Sequence, residues 1–418
     1  TQLLRRSGVT ELEILADSSR EILSVDVFYS RDAAKKAADR FWHHAPAKNG
    51  KGKWTAAIEL FGLDKPLWVF ANARYKLDKE ITGAGYYYGV YTTESFVLSS
   101  EMQMISAGDL KEAGAKSVLQ ADGKIEDFSN DWQKEWFIYS NDPENWRVST
   151  RKLGDDLYAA PAFSKLAFSA RSKESNTLVL MMDDQAAVVE LSGKNQWQEF
   201  VLYPMDFKGV NGKKRLNWEA VKSFQVTDKV TLKPARGDEK SKPLTVGAKW
   251  QGAAPELRNM SWLAGTKSEH DARREVKLLG VKPVDGKTYL DIDSADSFSH
   301  GHKAVINTWL DDKSPLQIDG KTYANGLTTH AHSEAVYFLG GKFKSFRAIA
   351  QAGAIASVVF QVFVDDVQVF DSGQLTGNKW KEIEVSLENA QELKLVVSDG
   401  GNGKGGDHGS WIDAHLQK

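Results

Sequence analysis

The sequence predicts an all-β protein made of three consecutive β-sandwich, jelly-roll-like domains with few short helices. Three observations carry that expectation. Short runs of β-branched and aromatic residues recur between turn residues along the chain, whereas long helical periodicity is scarce. The 418 residues exceed what one core ordinarily organises. No fixed-period repeat exists, so sandwiches in series are favoured over a solenoid or propeller.

In the first unit, residues 1–118, "ILSVDVFYS" (Ile22–Ser30), "LWVFANARY" (Leu67–Tyr75) and "GYYYGVYTT" (Gly85–Thr93) read as strands. "RDAAKKAADRFW", Arg31 to Trp42, is rich in strong helix formers and predicts a helix. A second unit, residues 119–265, has strands with one buried side: Leu166, Phe168 and Ala170 share a face of "KLAFSARS". "NTLVLMM", "WQEFVLYPMDF" and "AVKSFQVTD" follow, and the charged, proline-bearing "KPARGDEKSKP" (Lys233–Pro243) reads as an exposed loop. The helix-prone stretch over residues 266–280 is expected to connect to a third unit, residues 281–418. There "SVVFQVFVDDVQVFDSG" predicts a hairpin that turns at Asp365-Asp366.

Composition removes several functions. Lys plus Arg, 54, nearly balance Asp plus Glu, 56, which argues against nucleic acid or an anionic membrane surface as a partner. No apolar run reaches the roughly 18 residues of a membrane span. The absence of cysteine removes disulfides, thiolate metal sites and a cysteine nucleophile. Neither G-x-S-x-G nor H-E-x-x-H occurs. A glycosidase pair of carboxylates across a cleft stays open, because acidic residues are plentiful. The opening "TQLLRRSGVT" lacks methionine and reads as processed or trimmed, so a signal peptide or an upstream domain is expected to be missing.

Near the end, "SDGGNGKGGDHGSW" (Ser398–Trp411) contains the spacing G-x-G-x-x-G. A nucleotide cofactor does not suit it, since the remaining chain is too short for a crossover helix and the acidic residue beyond it. The glycines either only permit positive φ, or shape a loop around a sugar or metal and present Asp407, His408 and Trp411. Six of the nine histidines follow residue 299, and "HGH" and "HAH" would each put two on one face of an extended strand. Zinc ligation is one reading; hydrogen bonding in a polar cleft is the favoured one.

Three segments of the C-terminal third resemble the NPCBM family of carbohydrate-binding modules: Pro315–Gly341, Ser357–Gly373 and Glu392–Leu416. The G-L-T-T-H segment and the terminal D-H-x-x-W-x-D-A are the specific parts. The resemblance implies a sandwich that binds a galactose-type sugar near its end loops, with a structural calcium ion. It implies sugar-binding roles for His330, Asp407, His408, Trp411, Trp309 and Asn325, and calcium ligation by Asp291 and Asp413. Trp411 is equally readable as a core residue. The middle third looks like a galactose-binding-type jelly roll. The first unit is similar to the β-domain that follows the hydrolase domain of secreted esterase-like or PhoPQ-activated pathogenicity-related proteins.

The expected function is a non-catalytic carbohydrate-binding accessory region. It would hold a secreted or periplasmic bacterial enzyme, with its catalytic domain upstream, on polysaccharide. The alternatives are a hydrolase of glycan esters or glycosidic bonds with an inter-domain active site, and a structural spacer.

Overall fold

The computed structural model describes every residue except 1, 7–8, 33–35, 51–52, 86–88, 118–122, 139–145, 213, 235–241, 402 and 404. The junction expected at 118/119, the centre of "GYYYGVYTT" and most of the Lys233–Pro243 loop lie outside the described residues. Antiparallel sheets dominate, and the chain divides into two compact units, Thr1–Gly265 and Thr266–Lys418.

The first unit contains two of the expected β-rich parts, each with its own core. One core gathers Leu12, Val27, Ile58, Leu67 and Val69 between a four-stranded and a five-stranded sheet. The other gathers Phe168, Leu178, Phe224, Met260 and Trp262 between sheets of four and five strands. The expected alternation of Lys165–Arg171 holds: Leu166, Phe168 and Ala170 are all buried in that second core.

The helix expected over Arg31–Trp42 does not form among the described residues, which show only a short 3-10 turn at Ala37–Asp39. Propensity is overridden by side-chain partners. Arg31 reaches Asp64, Arg40 lies 3.9 Å from the centre of the Trp68 ring, and Trp42 packs edge-on against Phe70.

The stretch 266–280 belongs to the second unit. A capping box at Thr266 and Glu269 starts the short helix Lys267–Asp271. Arg274 then bonds Glu392 and Asp296, while Leu278 enters the C-terminal core.

The second unit is a sandwich. One sheet contains β1 (Ala304–Ile306), β2 (Gly326–His330), β3 (Ser345–Ala352), β4 (Trp380–Ser386) and β5 (His408–Gln417) in the order β1-β2-β5-β3-β4. The facing sheet has five strands, with Ser357–Val364 and Val367–Thr376 joined by the expected hairpin. Asp365 and Asp366 both take positive φ, 48° and 67°, as a primed turn requires.

Candidate functional site

Directly paired residues of an antiparallel sheet project to the same side, and neighbours along a strand alternate. In β2, β5, β3 and β4 the register aligns Thr328, Ser410, Gln351 and Trp380 in one row. The adjacent row, Leu327, Trp411 and Ala350, points the other way, into the core. Trp411 is therefore 1% exposed and packs edge-on against Phe360 at 4.9 Å. The expectation that it covers a sugar is corrected: it is a core residue.

The outward row is polar and mostly roofed. Thr328 Oγ1 lies 2.7 Å from Ser410 Oγ and donates to the Thr308 carbonyl at 2.8 Å. Beside them Gln351 is 5% exposed; its Nε2 donates to the Asn378 carbonyl at 3.5 Å. Its Oε1 is buried with no partner among the described residues. A buried amide oxygen without a donor costs about 1–3 kcal/mol, so it marks a place where a donor belongs.

Over Gln351 opens a cleft of about 720 Å³, walled by Trp309, Trp380, Asn378 and Asp319. Trp380 is 39% exposed. Trp309 is partly buried, placed by packing on Leu316, Ile318 and Ile412. These belong to a small outer cluster under the hairpin Leu316–Ile318/Lys321–Tyr323, which turns at Asp319-Gly320 with positive φ at both. Two indoles, an amide floor and charged or amide walls offer an apolar face and hydrogen-bonding groups together, which is what a neutral sugar needs.

The histidines lie one row further along the same face. His330 pairs with His408 across β2 and β5, ring centres 5.1 Å apart, and His302 is 6.0 Å from His330. His330 Nδ1 is 2.7 Å from the Ala331 carbonyl; since a carbonyl only accepts, Nδ1 carries a proton. Burial, followed by the His330 and His302 rings, holds His408 below the ordinary histidine value. The expected same-strand pairs do not form, because 301–302 is a bend and β2 ends at His330, leaving His300 and His332 exposed. No group of three or more His, Asp or Glu among the described residues is arranged to hold a metal ion.

The other expected site residues disperse. Asp407 is buried, its Oδ1 accepting from Ser357 N at 2.8 Å and its carbonyl from Ala331 N, which ties the loop to the fold; its Oδ2 is buried with no partner among the described residues. Asn325 sits at the opposite end of β2 from His330, where its carbonyl accepts from Asp413 N. Asp413 is engaged by Lys287 at 3.0 Å and the Tyr289 hydroxyl at 3.1 Å. Asp291 caps a turn, accepting from Ser294 N at 2.6 Å. A calcium cage needs several oxygen donors free to converge, and a carboxylate already neutralised by an ammonium is a poor start. The expected pair Asp291 and Asp413 does not fit calcium.

The glycine-rich stretch serves shape. Gly401, Gly403 and Gly406 all have positive φ. A Cβ on Gly409 would lie 2.6 Å from the Phe360 ring, which explains the small residue beside His408. Sequence reading missed Trp380, Gln351 and Asn378. A lone glutamine in "IAQAGAIAS" carries no motif; only its register opposite Ser410 and Trp380 gives it meaning.

Residues 286–417 match the NPCBM/NEW2 domain family. No curated protein matches the chain. Among solved structures, a CBM51 module of Clostridium perfringens GH95 in complex with methyl-galactose is 36% identical, over 29% of this chain and 94% of that one, with a TM-score of 0.28. The CBM51-2 and INT domains of Clostridium perfringens ZmpB, in complex with GlcNAc, are 26% identical with a TM-score of 0.27; the match covers 29% of each chain. Tandem CBM51 modules of a family 98 glycoside hydrolase from Streptococcus pneumoniae are 14% identical, over 70% of this chain and 92% of that one, with a TM-score of 0.28.

Proposed function

We infer, from the membership of residues 286–417 in the NPCBM family of carbohydrate-binding modules, that this chain binds glycan through its C-terminal unit and holds an exported enzyme on polysaccharide. A galactose-type sugar is the proposed ligand, the sugar class present in the 36%-identical Clostridium module. Export and attachment to a catalytic domain are part of this proposal.

The observation that supports the reading most is the partnerless Gln351 Oε1 at the floor of a cleft walled by Trp309 and Trp380. A sugar hydroxyl would donate to that oxygen while an indole covers the CH face of the ring. The His302, His330 and His408 group, one row away, would line the path of a longer chain and offer imidazole nitrogens to further hydroxyls. The expected single-sugar affinity is in the millimolar range, about −4 to −5 kcal/mol.

Calorimetric titration with methyl-galactoside and affinity electrophoresis in galactan gels test this. Trp380→Ala and Gln351→Ala should each weaken binding by roughly tenfold without lowering the melting temperature. Binding indifferent to both substitutions would remove the cleft from the account.

A further inference from the structure

Outside the family domain, the first unit contains a pocket of about 230 Å³, lined in part by Tyr29, His43, Glu59, Phe61 and Asp155. It lies where the strands Ile22–Ser30 and His43–Pro46 meet the turn Asp156–Tyr158. Its inner wall is aromatic and closely packed. The His43 ring is stacked between Tyr29, 4.9 Å away, and Tyr158, 5.7 Å away, and its Nε2 lies 3.2 Å from Asp155 Oδ1. Phe61 is 37% exposed and gives the pocket an apolar surface.

The polar groups point to one ligand class. Arg31 and Lys65 line the pocket, but Asp64 and Asp156 already pair with them. Asp32, Glu59 and Asp155 add negative charge, so an anion would be repelled. No metal-holding group exists among the described residues. Yet Arg31, only 8% exposed, keeps a buried Nε–H with no partner among them. The pocket thus combines carboxylate acceptors and an aromatic face within a volume suited to one ring, with a buried, unused Arg31 Nε–H in the residue that closes one wall.

We propose that this pocket is a second carbohydrate site that takes a single neutral pyranose residue. Glu59 and Asp155 accept from hydroxyls, and Phe61 covers the CH face. The site stands independently of the C-terminal cleft.

The test uses the full chain carrying Trp380→Ala and Gln351→Ala, which silence the cleft. Methyl glycosides of galactose, glucose, mannose and xylose, and galacturonate, are titrated calorimetrically. The silenced chain should still bind at least one neutral glycoside at one site. Adding Phe61→Ala or Glu59→Gln should weaken that binding by roughly tenfold with the melting temperature unchanged. No residual binding, residual binding indifferent to both additions, or galacturonate bound as tightly as the neutral sugars would overturn the proposal. If the cleft substitutions change nothing while Phe61→Ala does, the cleft reading fails and this one stands.

Discussion

Ser410 and Trp411 are neighbours in sequence and lie on opposite faces of one sheet: the serine meets Thr328 on the outer face, the tryptophan meets Phe360 in the core. Trp411→Ala should therefore cost about 3–5 kcal/mol, read as a lower denaturation midpoint of the C-terminal unit, whereas Trp380→Ala should leave that midpoint alone. His408 gives a pH prediction. Its folded value lies below the ordinary 6.5, so the unfolded chain takes up a proton first. Its contribution is then intact above that ordinary value and declines as pH falls from there toward the folded value. His408→Gln should flatten the melting-temperature profile on the acid side of the ordinary histidine value; an unchanged slope would contradict this. His408 and Trp411, expected together in one binding loop, separate because His408–Gln417 is a strand, in which residues three apart face opposite ways. Gln351 was not legible, because its neighbours Ser410 and Trp380 come from other strands.

At the level of elements, strands and turns follow local chemistry closely. The Asp365-Asp366 turn is visible in the sequence as two short polar residues between alternating runs, and the structure adds a tertiary role. The Asp365 carboxylate accepts from Gln391 N at 3.0 Å and Glu392 N at 2.9 Å, stitching the hairpin to the neighbouring strand. Asp365→Ala should leave those amides short of an acceptor and cost about 1–3 kcal/mol, measured by chemical denaturation. Gly326 couples the small outer hairpin to the sheet. A Cβ there would lie 2.5 Å from Leu316 Cδ1 and 2.9 Å from the Trp411 carbonyl. Gly326→Ala should lift the hairpin, destabilise by about 1–3 kcal/mol and weaken sugar binding through displaced Trp309. The Arg31–Trp42 segment shows the limit of local reading. Its composition favours helix, but Asp64 and Trp68, whose approach no window of sequence reveals, decide its conformation.

Among the described residues, the three largest hydrophobic clusters fall one in each of the three strand-rich stretches, while the compact units number two. The first two parts join through polar contacts between residues far apart in the chain: Glu135 accepts from His44 N at 2.9 Å, and Lys134 reaches Asp26 at 2.9 Å. Behind them Lys152 is buried between Glu126 at 2.8 Å and Glu135 at 2.6 Å. Lys152→Ala would remove the counter-ion shared by two largely buried carboxylates and should cost about 3–5 kcal/mol, seen as a lower melting transition of the first unit. Such a junction leaves no trace in hydrophobic periodicity, which is why the sequence suggested separate domains. The central claim is that the C-terminal unit holds its sugar on the outer face of the β1–β5 sheet. The most direct measurement is a crystal of the full chain soaked with methyl-galactoside. The account predicts a pyranose between Trp309 and Trp380 with a hydroxyl donating to Gln351 Oε1; a sugar bound elsewhere on the unit, with that cleft holding only water, would contradict it.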